Sequence, residues 1–258
     1  MAGEKCILID SSKCCGCGSC YFSCKSWNSI PASGGSRITD GEFSVIRDMR
    51  PQNWLIVKRS ADDGRLRAWP DLCRHCSDAL CIKHCPVEAI SNQDGWVTIN
   101  RDICIGCGAC EVVCPYGAIS VYRGDSKDVL KKNRAYKCDG CSENYSEKPA
   151  CVVSCPTGAL EYGNRSRLIR KAMRRVKKLK KEYPETKLYG INEYKGQNVL
   201  FINMKTVEHE NNDEQLGYNL LQVKTLYKTV SMFTRSFSVM SGHIYGFLHF
   251  IVTGKKNV

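Results

Sequence analysis

Short apolar runs bounded by turn residues mark strands in the first hundred residues, and helical periodicity governs the chain after residue 164. Trp54-Leu55-Ile56-Val57 and Arg65-Leu66-Arg67-Ala68-Trp69 flank Asp62-Asp63-Gly64, which predicts a β-hairpin. Trp96-Val97-Thr98-Ile99, entered through Asp94-Gly95, predicts another short strand. Between Arg165 and Lys181, Ile169, Met173, Val176 and Lys180 fall on one helical stripe with Leu168, Ala172 and Leu179 alongside. This predicts an amphipathic helix that ends near Tyr183-Pro184. Beyond Asp213 a second stripe, Leu216, Leu220, Val223, Tyr227, Val230, Phe237, Ile244, Leu248 and Ile251, predicts one long helix or two stacked ones. Its last part, residues 236–254, holds no Asp, Glu, Lys or Arg over 19 residues and is just long enough to cross a bilayer. His243, His249, three glycines and three serines weaken that reading, and packing on a partner subunit is the other.

Composition changes this picture at one point. Of 258 residues, 43% are hydrophobic and 25% charged, ordinary globular values that argue against wholesale disorder and a multi-span membrane protein. Cysteine departs from the ordinary, with 18 residues, all before residue 163. Met1 to Asp10 has no apolar run of secretory length, and Arg174-Arg175 lies mid-chain, where it cannot act as a twin-arginine signal. No export signal of its own is therefore expected, a cytoplasmic location follows, and metal ligation explains the cysteines better than disulfides do. Charge divides at the same place. Residues 1–162 carry 20 basic and 19 acidic side chains, a net of +1, and residues 163–258 carry 18 and 7, a net of +11. A cysteine-rich body of residues 1–162 and a basic, mainly helical tail of residues 163–258 are expected. The ten basic residues between Arg165 and Lys181 face the negative body or a partner, or else an anionic membrane. Nucleic acid has only the charge in its favour and is not expected as a partner.

The cysteines form four runs. They are Cys14-x2-Cys17-x2-Cys20-x3-Cys24, Cys73-x2-Cys76-x4-Cys81-x3-Cys85, Cys104-x2-Cys107-x2-Cys110-x3-Cys114 and Cys138-x2-Cys141-x9-Cys151-x3-Cys155. Cys14 rather than Cys15 belongs to the first run, since only Cys14 keeps the two-residue gap before Cys17. The flanks repeat as well. Ile9-Asp10 precedes Cys14 as Ile99-Asn100 precedes Cys104, and Pro-x-x-Ala-Ile/Leu follows three runs, from Pro86, Pro115 and Pro156. One duplicated ferredoxin-like unit accounts for this. Three thiolates at i, i+3 and i+6 wrap one face of an iron–sulfur cubane, and the fourth, a helical turn on, reaches a partner cluster. Zinc is the alternative, but zinc knuckles use separated pairs of cysteines, not three at consecutive three-residue steps.

Between residues 25 and 72 lies an insertion, read as a β-ribbon over cluster faces and as a docking surface. His75 and His84 sit beside cluster cysteines, but with no thiolate missing they are expected to contact ligands or stay exposed. Cys6 and Cys15 are expected to be small buried apolar residues. No Gly-rich phosphate loop, nucleophile elbow or helical pair of metal-binding histidines occurs, so no catalytic residue is assigned.

The order of runs, the long gap in the fourth, and Lys148-Pro149-Ala150-Cys151-Val152-Val153-Ser154-Cys155-Pro156-Thr157-Gly158-Ala159 resemble the four-cluster electron-transfer (β) subunits of the molybdopterin oxidoreductase (DMSO reductase) family. Cys24-Lys25-Ser26-Trp27-Asn28 and the stretch from Gly163 to Pro184 are most similar to formate dehydrogenase β subunits. The first run has Lys25 where the others have proline, which fits the formate-type pattern. The resemblance implies an α+β fold of duplicated bacterial-ferredoxin-like domains with a helical C-terminal tail. It also implies four 4Fe–4S clusters whose irons are held by all 16 run cysteines. Cys14, Cys17 and Cys20 would share a cluster with Cys155, and Cys138, Cys141 and Cys151 one with Cys24. Cys73, Cys76 and Cys81 would join Cys114, and Cys104, Cys107 and Cys110 would join Cys85. Four such clusters add about −8, leaving the body near −7 beside the basic tail.

The implied function is electron relay, without catalysis, between a catalytic molybdenum or tungsten subunit and another redox partner. Formate dehydrogenase is the favoured catalytic subunit, and a membrane subunit or soluble carrier stands at the other end. The alternatives are a free-standing polyferredoxin, or the β subunit of a CO dehydrogenase, a hydrogenase, or a sulfur-compound or arsenate reductase.

Overall fold

The computed structural model of the chain describes residues 5–31, 49–62, 65–124, 130–142 and 147–204. In chain order it builds β1 (Lys5–Asp10), α1 (Ser19–Trp27), the hairpin β2 (Leu55–Asp62) and β3 (Arg65–Leu72), and α2 (Leu80–Lys83). The hairpin β4 (Ile90–Gln93) and β5 (Trp96–Ile99) comes next, then α3 (Ala109–Val113), the pair β6 (Ser120–Tyr122) and β7 (Arg134–Tyr136), and α4 (Ala150–Val153). β8 (Leu160–Asn164), α5 (Arg165–Leu179), β9 (Lys187–Tyr189) and β10 (Val199–Asn203) complete it.

The repeated flanks become equivalent strand pairs. β1 and β8 pair antiparallel with Ile9 opposite Leu160, and β4 and β5 do the same with Ile90 opposite Ile99. Asp10 N–H donates to Ala159 C=O at 2.8 Å, as Asn100 N–H donates to Ala89 C=O at 2.7 Å. The side chain of each then accepts from the amide two residues on, Asp10 from Ser12 and Asn100 from Asp102. Each copy thus turns a strand into a cysteine run through the same Asx bond.

Residues 163–204 of the basic segment do not stand apart as a tail. The boundary expected at 162/163 falls inside β8, and β10 inserts beside β1 in a sheet ordered β8-β1-β10-β9. β1 and β10 run parallel, Ile7 beside Val199 through Asp10 beside Ile202. Both are covered on two faces, which is why Cys6-Ile7-Leu8-Ile9 and Val199-Leu200-Phe201-Ile202 are unbroken apolar runs. Ile7, Ile9, Val199 and Phe201 pack with the cysteine-bearing body, while Cys6, Leu8, Leu200 and Ile202 pack under α5. Arg175 on α5 bonds Asp10 at 3.2 Å and Ser12 Oγ at 2.8 Å. The second stripe, Leu216 to Ile251, and the apolar span 236–254 lie outside the described residues. Among the described residues no helix is long and apolar enough to cross a membrane.

The helix expected after Arg165 forms, capped by Asn164, whose side chain accepts from Arg167 N–H. Its buried line is Leu168, Ala172 and Leu179, while Met173 on the expected stripe is 58% exposed. Small Ala172 lets the helix sit close to the sheet, and Ile169 and Val176 of the expected stripe pack at the edge of the same cluster.

The hairpin expected in the insertion also forms, paired from Leu55–Leu72 to Asp62–Arg65. Lys25, where other runs have proline, donates through Nζ to Pro31 C=O at 2.9 Å and Gln52 C=O at 2.8 Å. It therefore holds the two described ends of the insertion together.

Candidate metal centres

Each run ends in the same local device. The third cysteine sits in the first turn of a short helix and the fourth lies four residues on: Cys20 and Cys24 with α1, Cys81 and Cys85 with α2, Cys110 and Cys114 with α3, Cys151 and Cys155 with α4. That step carries the fourth thiol one turn along the same face. α1 packs on α4 and α2 on α3, so each fourth thiol is delivered toward a different run. At two loop glycines there is no room for a larger residue. At Gly106, with φ of 67°, a Cβ would stand 2.4 Å from Asn133 C=O, and at Gly140, with φ of 76°, 2.4 Å from the Trp96 ring.

The thiols collect in four groups, visible in which neighbours act on those whose pKa is raised. Burial comes first for Cys14, then Cys15, Cys155 and Cys17 after a weaker downward pull from Gly16 N–H. Burial lifts Cys20 to about 12, with Cys14, Cys155 and Cys17 adding to it. Cys24 is likewise lifted to about 12 by burial and then Cys141. Cys138 and Cys151 are raised by burial and then by Cys24 and Cys141. Burial, Cys73 and Cys114 raise Cys76 and, to about 12, Cys81. Cys107 and Cys110 rise through burial, Cys104 and Cys85. The structure thus brings together Cys14, Cys17, Cys20 and Cys155; Cys24, Cys138, Cys141 and Cys151; Cys73, Cys76, Cys81 and Cys114; and Cys85, Cys104, Cys107 and Cys110. Below these are the first to fourth groups. Neighbours across groups are Cys20 with Cys24 and Cys151, Cys138 with Cys73, and Cys81 with Cys110, so the groups form one series.

The donor set suits an iron–sulfur cage. All 18 cysteines are free thiols despite this crowding. Buried thiols with raised pKa are unfavourable as bare anions, and bound iron removes the proton outright. Cys24, Cys138, Cys141 and Cys151 line a cavity closed by Trp54, Leu55 and Leu72. Backbone N–H groups already aim at sulfur: Ala89 at Cys85 (3.2 Å), Ala118 at Cys114 (3.4 Å) and Gly140 at Cys138 (3.4 Å). The first two come from the alanines of the Pro-x-x-Ala repeat, whose turn aims the backbone N–H at the fourth thiol.

His75 is fully buried between Cys73 and Cys76, and burial and then Lys137 hold its pKa well below the usual imidazole value. Nδ1 accepts from Val97 N–H at 3.0 Å, so the proton of the neutral ring is on Nε2, which has no partner among the described residues. His84 Nδ1 lies 2.8 Å from Leu80 C=O. Cys6 is buried, as expected, but Cys15 is exposed.

Sequence reasoning missed the segment Gly196–Val199. Ser77 N–H donates to Gly196 C=O, Asn198 N–H to His75 C=O and Val199 N–H to Arg74 C=O, lacing this segment onto the second run. It also missed Lys137 and Asp139, buried charges on either side of Cys138, whose signal was their place around a ligand-type cysteine.

Comparison with known proteins finds iron–sulfur domains. A family model described as a 4Fe-4S dicluster domain matches residues 65–165, and another so described matches residues 13–89. A subunit of the anaerobic dimethyl sulfoxide reductase of Shigella flexneri is 35% identical over 164 residues, which cover 61% of this chain and 72% of that protein. The chain belongs to this family of iron–sulfur subunits. The iron–sulfur subunit of the nitrate-inducible formate dehydrogenase of Escherichia coli is 33% identical over 205 residues, 76% of this chain and 66% of that relative. The formate dehydrogenase iron–sulfur subunit of Haemophilus influenzae is 32% identical over 204 residues, 76% of this chain and 63% of that relative. The present iron–sulfur subunit therefore spans just under two-thirds of its formate dehydrogenase relatives, and its cofactors are 4Fe–4S clusters.

Proposed function

We propose that this iron–sulfur subunit relays electrons through four 4Fe–4S clusters, one for each cysteine group. The clusters stand between a catalytic molybdenum or tungsten subunit, formate dehydrogenase being favoured, and a further redox partner. Cys14, Cys17, Cys20 and Cys155 hold the first, and Cys24, Cys138, Cys141 and Cys151 the second. Cys73, Cys76, Cys81 and Cys114 hold the third, and Cys85, Cys104, Cys107 and Cys110 the fourth. A bound 4Fe–4S cluster supplies a one-electron couple whose potential is set by its surroundings.

The observation that carries this reading is the single series of groups, since a relay needs neighbouring carriers and two accessible ends. The first group reaches solvent at Cys17, and the fourth lies beside Ile103 and Ile105, which are 48% and 39% exposed. Buried side chains close the middle groups: Trp54, Leu55 and Leu72 cover the second, and His75 the third. The basic face of α5 lies over the sheet that adjoins the first group and suits an acidic partner surface.

Anoxic purification of the tagged chain from its own host tests this. Co-purification of a much larger subunit containing molybdenum or tungsten, with formate bleaching the iron–sulfur chromophore of the complex, is expected. A monomer with no bound partner would overturn the subunit reading in favour of a free polyferredoxin.

A further inference from the structure

The second and third groups are neighbours, yet their polar surroundings carry opposite signs. Lys137 and Asp139 flank Cys138 and are 2% and 4% exposed. Lys137 Nζ donates to Val97 C=O and, at 2.8 Å, to Cys138 C=O. Val97 N–H donates to His75 Nδ1, so the lysine and the histidine bind the same residue of β5, beside Cys73 and Cys76 of the third group. Asp139 faces the other way. It lines the cavity of the second group with Cys24, Cys138, Cys141 and Cys151, and its Oδ1 accepts from Cys141 N–H at 2.8 Å. Its Oδ2 is buried with no partner among the described residues.

Neither charge is cancelled locally: among the described residues no ion pair to Lys137 or Asp139 occurs. The other buried charges nearby, Arg74 and Asp71, are paired with each other at 2.9 Å, and the partly exposed Lys58 also reaches Asp71 at 2.6 Å. The thiols report the same division. Asp139 pushes up Cys24, Cys138 and Cys141, after burial in each case, whereas Lys137 pulls down on Cys81 and Cys114 against their burial.

We propose that Lys137 and Asp139 act as positioning charges that set a potential step inside the relay, lowering the couple held by the second group and raising the one held by the third. This rests on the four-cluster reading above. A reduced cluster carries one more negative charge than an oxidised one, so a buried cation favours the reduced form and a buried anion disfavours it. One electron leaves the second couple and one enters the third, with no proton or ligand exchanged. The step therefore favours flow from the first and second groups toward the third and fourth.

Redox titration of the full chain followed by electron paramagnetic resonance tests this. Lys137→Gln is expected to lower one couple and Asp139→Asn to raise a different one. Each shift should be at least tenfold in the reduced-to-oxidised ratio at fixed potential, or 59 mV for a one-electron couple. Lys137→Arg and Asp139→Glu, which keep the charges, should hold both couples near wild type. Unmoved couples, shifts in the same direction, or a common shift of all couples would overturn the step. So would loss of iron from either charge-removing variant, because the residue would then be holding the site together rather than biasing it. A wild-type chain lacking four couples would instead overturn the four-cluster reading.

Discussion

Gln197 lies against Cys76, 121 residues away in sequence: the two form a backbone β-bridge, and Gln197 Nε2 sits 3.9 Å from the Cys76 sulfur. The same amide nitrogen reaches Tyr116 Oη at 2.6 Å, tying the second run to the loop after the third. The third group is thus completed by a stretch of chain that contains no cysteine.

Truncation should expose that dependence. Ending the chain after Met204 keeps β10 and the bridge, and is expected to leave iron at about 16 atoms per chain. Ending it after Glu193 removes both and should lose at least the third group's iron, about 4 atoms. Iron and acid-labile sulfide assays on the two purified products check this.

The docked face of α5 can be told from its exposed edge by substitution. Leu168 is 0% exposed and Met173 58%. Leu168→Ala should cost about 2–5 kcal/mol, and Met173→Ala about 0.5 kcal/mol or less. Denaturant midpoints of the two variants provide the comparison.

That pair of residues also shows how far the sequence could be read. Cysteine spacing, the hairpin at 55–72 and the helix from Arg165 are local patterns, and local patterns survive folding. The expected apolar face holds both Ala172 and Met173, but docking distance favours the smaller side chain, so Ala172 is buried and Met173 is left exposed. Gly196–Val199 carries no metal-ligand signal, and only tertiary pairing with the second run reveals its role. For the same reason β10 was invisible as a partner of β1, and the basic segment read as a tail. Lys25 departed visibly from proline, but that it bridges Pro31 and Gln52 required the structure.

Glycine positions in the cysteine loops should differ sharply in tolerance. Gly117 has φ of 56° with nothing within 4 Å of an added Cβ, whereas Gly106 would meet Asn133 C=O at 2.4 Å. Gly117→Ala is expected to cost about 1–2 kcal/mol from the left-handed backbone alone. Gly106→Ala should cost at least twice as much and also lower the iron content, since the loop between Cys104 and Cys107 must shift. Thermal melts with parallel iron assays decide it.

Alkaline pH should destabilise the protein through a thiol outside the four groups. Burial raises Cys6 from an ordinary 9.0 to about 11, with Arg165 pulling weakly the other way. Because the folded value is the higher one, its stabilising contribution is complete below about pH 9 and is lost as pH rises toward 11, about 2–3 kcal/mol in all. Burial also raises Tyr116 and Tyr162, which extend the decline above pH 10. Cys6→Ala should flatten the stability curve between about pH 9 and 10, whatever it does to stability at pH 7. Denaturant unfolding across that range measures the slope.

The most direct test of the central claim is the iron and acid-labile sulfide content of anoxically prepared full-length chain, with a stepwise reductive titration followed by electron paramagnetic resonance. Four occupied thiol groups predict about 16 irons and about 16 sulfides per chain and four one-electron couples. A chain that binds zinc without sulfide, or that stays near 8 irons with two couples, would contradict it.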